Sequence, residues 1–159
     1  MTQQNATGGP QQVTSLRMIA AAMAMGLVMI ALVSFFMLET EPQADPMVGW
    51  ILAVAAPVVS FLASRAGSVV GTTVQDPSQL YQAYASRFFI TLSLAEAPGL
   101  LVFVAGIIMR LSWMQVALGL VLTAAVVWLV LHPTRQKADA FAETSLGAGA
   151  DVQAFVEAF

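Results

Sequence analysis

Apolar residues along this chain fall into four runs of roughly 20, the length that crosses a hydrocarbon core of about 30 Å, and polar stretches separate them. The first run covers about 16–38, with Ser15 as its helix N-cap and Arg17 at the near edge. The others cover about 47–70, 87–109 and 113–131. Residues 1–15 (MTQQNATGGPQQVTS) bury too little apolar surface to offset the entropy of ordering and predict a loose tail. Residues 39–46 (ETEPQADP) form a short acidic loop, and His132-Pro133 stops the fourth run. The polar segment from Gly71 to Ser86 carries an Asp76-Pro77-Ser78 turn that restarts a short helix through Leu80, Tyr81 and Tyr84. Residues 135–159 read as an acidic tail in which Val152, Phe155, Val156 and Phe159 would share one face of a short helix. Such a helix is marginal in water, so docking on a membrane or partner and disorder both stay open. The prediction is an all-α integral membrane four-helix bundle over 16–134, with polar disordered tails.

Composition agrees. The 159 residues are 58% apolar and only 9% charged, where a soluble domain carries about 25% charge, and mean hydropathy is +0.80. No Cys is present, which excludes disulfides, thiolate metal sites and cysteine nucleophiles, and the single His132 cannot build a His-based metal site alone. No metal or cofactor is expected. A net charge of −3 speaks against nucleic acid as a partner. The expected partners are the lipid bilayer and further copies or subunits of a membrane assembly. A cleaved signal peptide is the competing reading of the first run, but that run is long and ends in bulky Phe35, Phe36, Met37 and Leu38, which favours an uncleaved anchor. Met18, Met23, Met25 and Met29 offer thioethers to a soft metal, yet without His or Cys beside them they read as apolar filler.

Orientation follows from Lys and Arg. With the N-terminus inside, Arg17, Arg65, Arg87, Arg135 and Lys137 sit at cytoplasmic ends and only Arg110 lies outside. That predicts a multi-pass protein of a bacterial cytoplasmic membrane with both termini cytoplasmic. Trp113 and Trp128 then fall near opposite interfaces of the fourth span.

Candidate chemistry lies at mid-depth. On the second span Ala53, Ala56, Ser60, Ala63 and Gly67 follow a 3-4 spacing that continues to Gly71, giving a flat face for close helix approach. On the third span Glu96 shares a face with Gly99, Phe103 and Gly106. Glu96 lies about 12 Å in from Phe88 at roughly 1.5 Å per residue. It is the one acid within any predicted span, and a bare carboxylate there would cost several kcal/mol, so it is expected to be largely protonated near neutral pH. At the same depth Pro57 frees the carbonyl of Ala53, and Pro98 frees that of Leu94. Glu96, Ser60, Pro57 and Pro98 therefore predict a midplane cluster. One reading is structural, a protonated Glu tying down a freed carbonyl; the other is a proton or Na⁺ site of the broken-helix kind. An Arg65–Glu96 ion pair would ionise the carboxyl and remove the second reading. No nucleophile–base pair stands out, so an enzyme is not expected.

Residues 64–104 (SRAGSVVGTTVQDPSQLYQAYASRFFITLSLAEAPGLLVFV) resemble the helical hairpin of the rotary ATPase c subunit, the proteolipid. A small-residue helix leads into a polar loop with an acid before Pro, then into a helix with an Ala-Glu-Ala core. The resemblance implies that Glu96 is an ion-carrying carboxylate and that Asp76-Pro77 stands at the loop. The chain departs from that hairpin in lacking dense GxG repeats, in having Pro98-Gly99 just after the Glu, and in its additional spans. It is also similar to small four-span bacterial membrane proteins of unknown function, a resemblance that implies no activity. Two roles are thus expected: a structural or accessory subunit or self-associating bundle, and a c-subunit-like carrier.

Overall fold

A computed structural model of the chain describes residues 9–41, 43–69, 74, 79–146, 153–157 and 159. Its elements are α1 (Gly9–Met37), α2 (Pro46–Val69), α3 (Leu80–Met109), α4 (Trp113–Leu131), α5 (Arg135–Leu146) and α6 (Gln153–Glu157), with no strand among the described residues. The four long helices are each long and apolar enough to cross a membrane, which fits a multi-pass protein.

Three boundaries differ from the sequence reading. Helix α1 begins at Gly9, so residues 9–15 are not a loose tail. Val13 and Leu16 are buried on the same line as Ala20, and that docking extends the helix. Ser15 accordingly does not cap; its hydroxyl donates to the Gln11 carbonyl one turn back, 3.0 Å. The rest of the expected N-terminal tail, 1–8, lies outside the described residues. The short helix through Leu80 and Tyr84 and the third span are one continuous α3, because Leu80, Tyr84, Phe88, Thr91 and Ala95 form an unbroken 3-4 stripe of buried residues. The 135–159 tail is not disordered throughout: α5 occupies its first half. Ala138, Phe141, Ala142 and Ser145 are buried on one face of α5, and the backbone amides of Lys137 and Ala138 close its first turn on the Thr134 carbonyl.

The other ends follow local rules. Pro46 opens α2, where its missing N–H is of no consequence, and the Asp45 carboxylate caps the helix by accepting from the Met47 amide at 2.9 Å. Arg110 ends α3 in the left-handed region (φ 51°), its amide closing on the Gly106 carbonyl. Neither Pro57 nor Pro98 breaks its helix.

Helix α4 packs against α1, α2 and α3, and α2 also packs along α3. The contact faces are lined by small residues, among them Ala20, Ala24, Ala53, Ala56, Ala95 and Ala124. Leu27, Leu92 and Leu120 are buried with them, while many other large apolar side chains point outward: Leu101 is 67% exposed, Leu129 74% and Ile108 76%. Water would strip such a surface from a soluble protein, whereas lipid is as apolar as the side chains themselves. Met18, Met25 and Met29 belong to that outward surface and do not gather into a thioether pocket.

Candidate functional site

At mid-depth α2 meets α3 through backbone rather than through the carboxyl. The Ser60 side chain is fully buried and its hydroxyl donates to the Ala95 carbonyl at 2.5 Å. Glu96, the next residue, is half-buried at the edge of the packed face, and its carboxyl makes no hydrogen bond or ion pair with a described residue. Glu96 and Pro98 are two positions apart on one helix and so occupy different flanks. The carbonyl that Pro57 frees, on Ala53, faces α4 instead: an added Cβ at Gly119 would lie 3.5 Å from it and 3.2 Å from the Ala53 Cα. The expected midplane cluster is therefore split. Ser60 and the Ala53 carbonyl freed by Pro57 lie at helix contacts, and Glu96 stands apart on an outer flank. Arg65 packs its guanidinium over the Phe61 ring, 5.2 Å from its centroid, and no ion pair joins it to Glu96.

The small residues of α2 differ in burial. Ala53, Ala56, Ser60 and Gly67 are buried, Ala63 is only half-buried, and Ser64 takes the buried position beside it. Gly71 lies outside the described residues. A Cβ on Gly67 would stand 3.0 Å from the Thr91 Cα, so this glycine is where α2 touches the α3 backbone. Gly99 and Gly106 perform the same service for α3 against Thr123 and Val116 of α4. Gly49 and Gly119, which the spacing argument passed over, belong to the same set: Gly49 accommodates the Gln115 side-chain amide and Gly119 the α2 backbone. Their signal was the continuation of the Ala53–Ala56 register one turn earlier, and a facing glycine on α4.

No family model, curated protein or solved structure matches this chain. What it can do chemically rests on its own side chains.

Polar chemistry concentrates at the two ends. At one, the α1–α2 loop and the α3–α4 turn are stitched together: Arg110 donates to the Gln43 side-chain oxygen at 2.9 Å, the Gln43 amide to the Arg110 carbonyl at 3.1 Å, and the Ser112 hydroxyl to the Thr40 carbonyl. Gln115 donates its amide to the Pro46 carbonyl at 2.9 Å, while its Oε1 is buried without a partner. At the other end α2, α3, α4 and α5 border an open-sided cavity of about 600 Å³, lined by Arg65, Tyr84, Arg87, Thr91 and Lys137 and walled by Phe88, Leu129 and Phe141. Arg87 lies over the Phe141 ring at 5.3 Å. Lys137 donates to the carbonyls of Val130 at 2.5 Å and His132 at 2.9 Å, closing the C-terminus of α4. Partial burial, and then the nearby Arg65 charge, hold the Lys137 ammonium below the usual lysine range.

The same end receives the C-terminal segment. Phe159 and Phe155 both pack edge-on to Tyr84, at 4.9 and 5.9 Å, and the Phe159 carbonyl accepts from Arg17 at 2.8 Å. The apolar face expected on this segment thus packs on the chain's own aromatic residues; Val152 lies outside the described residues. The basic cavity was missed by sequence reasoning. Its signal was present in the charge count that groups Arg65, Arg87 and Lys137 at one end, but only packing shows that they share a cavity.

Proposed function

We propose that the chain is a four-pass helix bundle of a bacterial cytoplasmic membrane, both termini cytoplasmic, acting as a non-catalytic structural or accessory subunit that associates laterally through the Glu96 flank. The orientation follows from Arg65, Arg87 and Lys137 lying at one end and Arg110 at the other. The observation that carries the association is the unpartnered Glu96 carboxyl. Half-buried, it has no acceptor among the described residues, and a protonated carboxyl at that depth is stabilised by an acceptor on a neighbouring helix. Glu96 shares its flank with Phe89, Leu100 and Ile107, each about two-fifths exposed, so the acid sits in a continuous outward-facing stripe.

Native mass spectrometry in mild detergent and cross-linking in bilayers test this, and the absence of Cys makes a Leu100→Cys variant report one position only. Oligomers that Glu96→Gln preserves and Glu96→Leu weakens are expected. A wild-type chain that stays monomeric in both settings refutes the association.

The same outward placement favours a second reading, a c-subunit-like carrier of H⁺ or Na⁺, because a carrier carboxyl has to be reached from the helix surface. Carbodiimide labelling of Glu96 that rises as pH falls and is blocked by Na⁺ would support it. An inert Glu96 removes it.

A further inference from the structure

We infer that the cavity between α2, α3, α4 and α5 is a binding site for a phosphate-bearing anion, either the headgroup of an acidic phospholipid or free phosphate. Three cationic side chains, Arg65, Arg87 and Lys137, line it, and no acidic side chain does so among the described residues. Positive charge gathered in one partly enclosed space attracts an anion, and the site rests on Arg87 and Lys137. The donors left over are the right kind. The Arg87 guanidinium makes no hydrogen bond to a described residue, so its planar fork is open for two phosphate oxygens. The Tyr84 hydroxyl is likewise without a hydrogen-bond partner, and Lys137 keeps one proton beyond the two it gives to carbonyls. The hydroxyls of Ser64, Thr91 and Thr144 donate to their own helices, which leaves selection to Arg87, Lys137 and Tyr84.

A volume of about 600 Å³ holds a phosphodiester headgroup. The wall contains Leu129, whose side chain is 74% exposed on the apolar outer surface, so an acyl chain leaving the cavity would meet the hydrocarbon-facing side of α4. Basic pockets between membrane helices at the cytoplasmic level bind acidic lipid in this way. The site is independent of Glu96.

The test uses the full chain in nanodiscs of phosphatidylcholine, with and without phosphatidylglycerol, and separately with inorganic phosphate. Thermal unfolding and native mass spectrometry are the readouts. Phosphatidylglycerol is expected to remain as a one-to-one adduct and to raise Tm. Arg87→Gln and Lys137→Gln should each weaken binding by about tenfold or more, and Arg87→Lys, which keeps the charge and loses the fork, by less. Each variant is compared with its own ligand-free Tm, so a loss of stability is not read as a loss of binding. A rise in Tm with inorganic phosphate alone identifies a soluble occupant of the same site. The proposal is overturned if neither ligand shifts the wild type, or if Arg110→Gln, at the far end, loses as much as Arg87→Gln. Glu96→Leu should leave the lipid shift intact, which separates this site from the lateral association.

Discussion

Replacing Gly67 by Ala places one carbon where α2 and α3 are closest. The new Cβ would lie 2.7 Å from the Thr91 Oγ1 and 3.0 Å from the Thr91 Cα. Carbon atoms rest about 3.5–4.0 Å apart, so the helices must part by roughly 0.5–1 Å, because the obstacle is backbone and cannot rotate away. Overpacking of this kind costs about 1–3 kcal/mol. Ala gains about 0.8–1.0 kcal/mol over Gly in helix propensity, which leaves Gly67→Ala destabilised by about 1 kcal/mol and at most about 2. Gly26 supplies the control. It also lies within a long helix, but an added Cβ there meets nothing within 4 Å, so Gly26→Ala keeps only the propensity gain. The difference between the two variants is then the overpacking cost alone, since the propensity change cancels. Reversible unfolding by SDS titration in mixed micelles measures both. If the two substitutions shift stability equally and in the same direction, the close α2–α3 approach at Thr91 is refuted.

Two further outcomes follow from side chains near the ends. Gln115→Met gives up one hydrogen bond to the Pro46 carbonyl and removes a buried, unpartnered Oε1; with the lost bond at about 1 kcal/mol and the orphan acceptor at about 1–3, stability should hold or rise. A marked loss in the same SDS titration would show that the oxygen is satisfied in the membrane. Lys137 binds its proton less tightly in the folded chain than at the ordinary 10.5, through burial and then Arg65. The unfolded chain therefore holds more protons between the folded value and 10.5, and stability rises with pH across that interval. The Tm of wild type minus that of Lys137→Gln, followed from neutral to alkaline pH, should climb, and Arg65→Gln should flatten the climb; a difference independent of pH contradicts the assignment.

The four long helices were legible because crossing about 30 Å of hydrocarbon leaves a mark that needs no tertiary information. α4 has the bounds the apolar run predicts. Boundaries that depend on docking were not legible in the same way. Val13 draws α1 seven residues back from its apolar run, and Leu80 and Tyr84 bind the turn before Arg87 into α3, because each is buried against a neighbouring element. Of the candidate site, the spacing singled out Ala53, Ala56, Ser60 and Gly67, which are buried. It could not tell that the Ser60 hydroxyl would choose a backbone carbonyl over a carboxyl one residue away. Equal depth brings groups to one level; only the rotation of each helix decides which of them meet.

That rotation separates the chain's polar groups into two kinds. Ser60, Thr91 and Thr123 are buried and give their protons to carbonyls, Ser60 across to α3 and the other two along their own helices. Such bonds leave no donor for a ligand and need no water. Glu96, Arg87 and the Tyr84 hydroxyl are the reverse, groups whose hydrogen-bonding capacity no described residue takes up. An unused carboxyl at mid-depth and an unused guanidinium at the end cannot serve each other, since Arg87 lies nine positions and about 13 Å along the same helix from Glu96. The partners proposed for them accordingly differ, a hydrogen-bond acceptor within the hydrocarbon for one and an anion at the headgroup level for the other. The two proposed contacts are thus chemically distinct and draw on different groups of the chain.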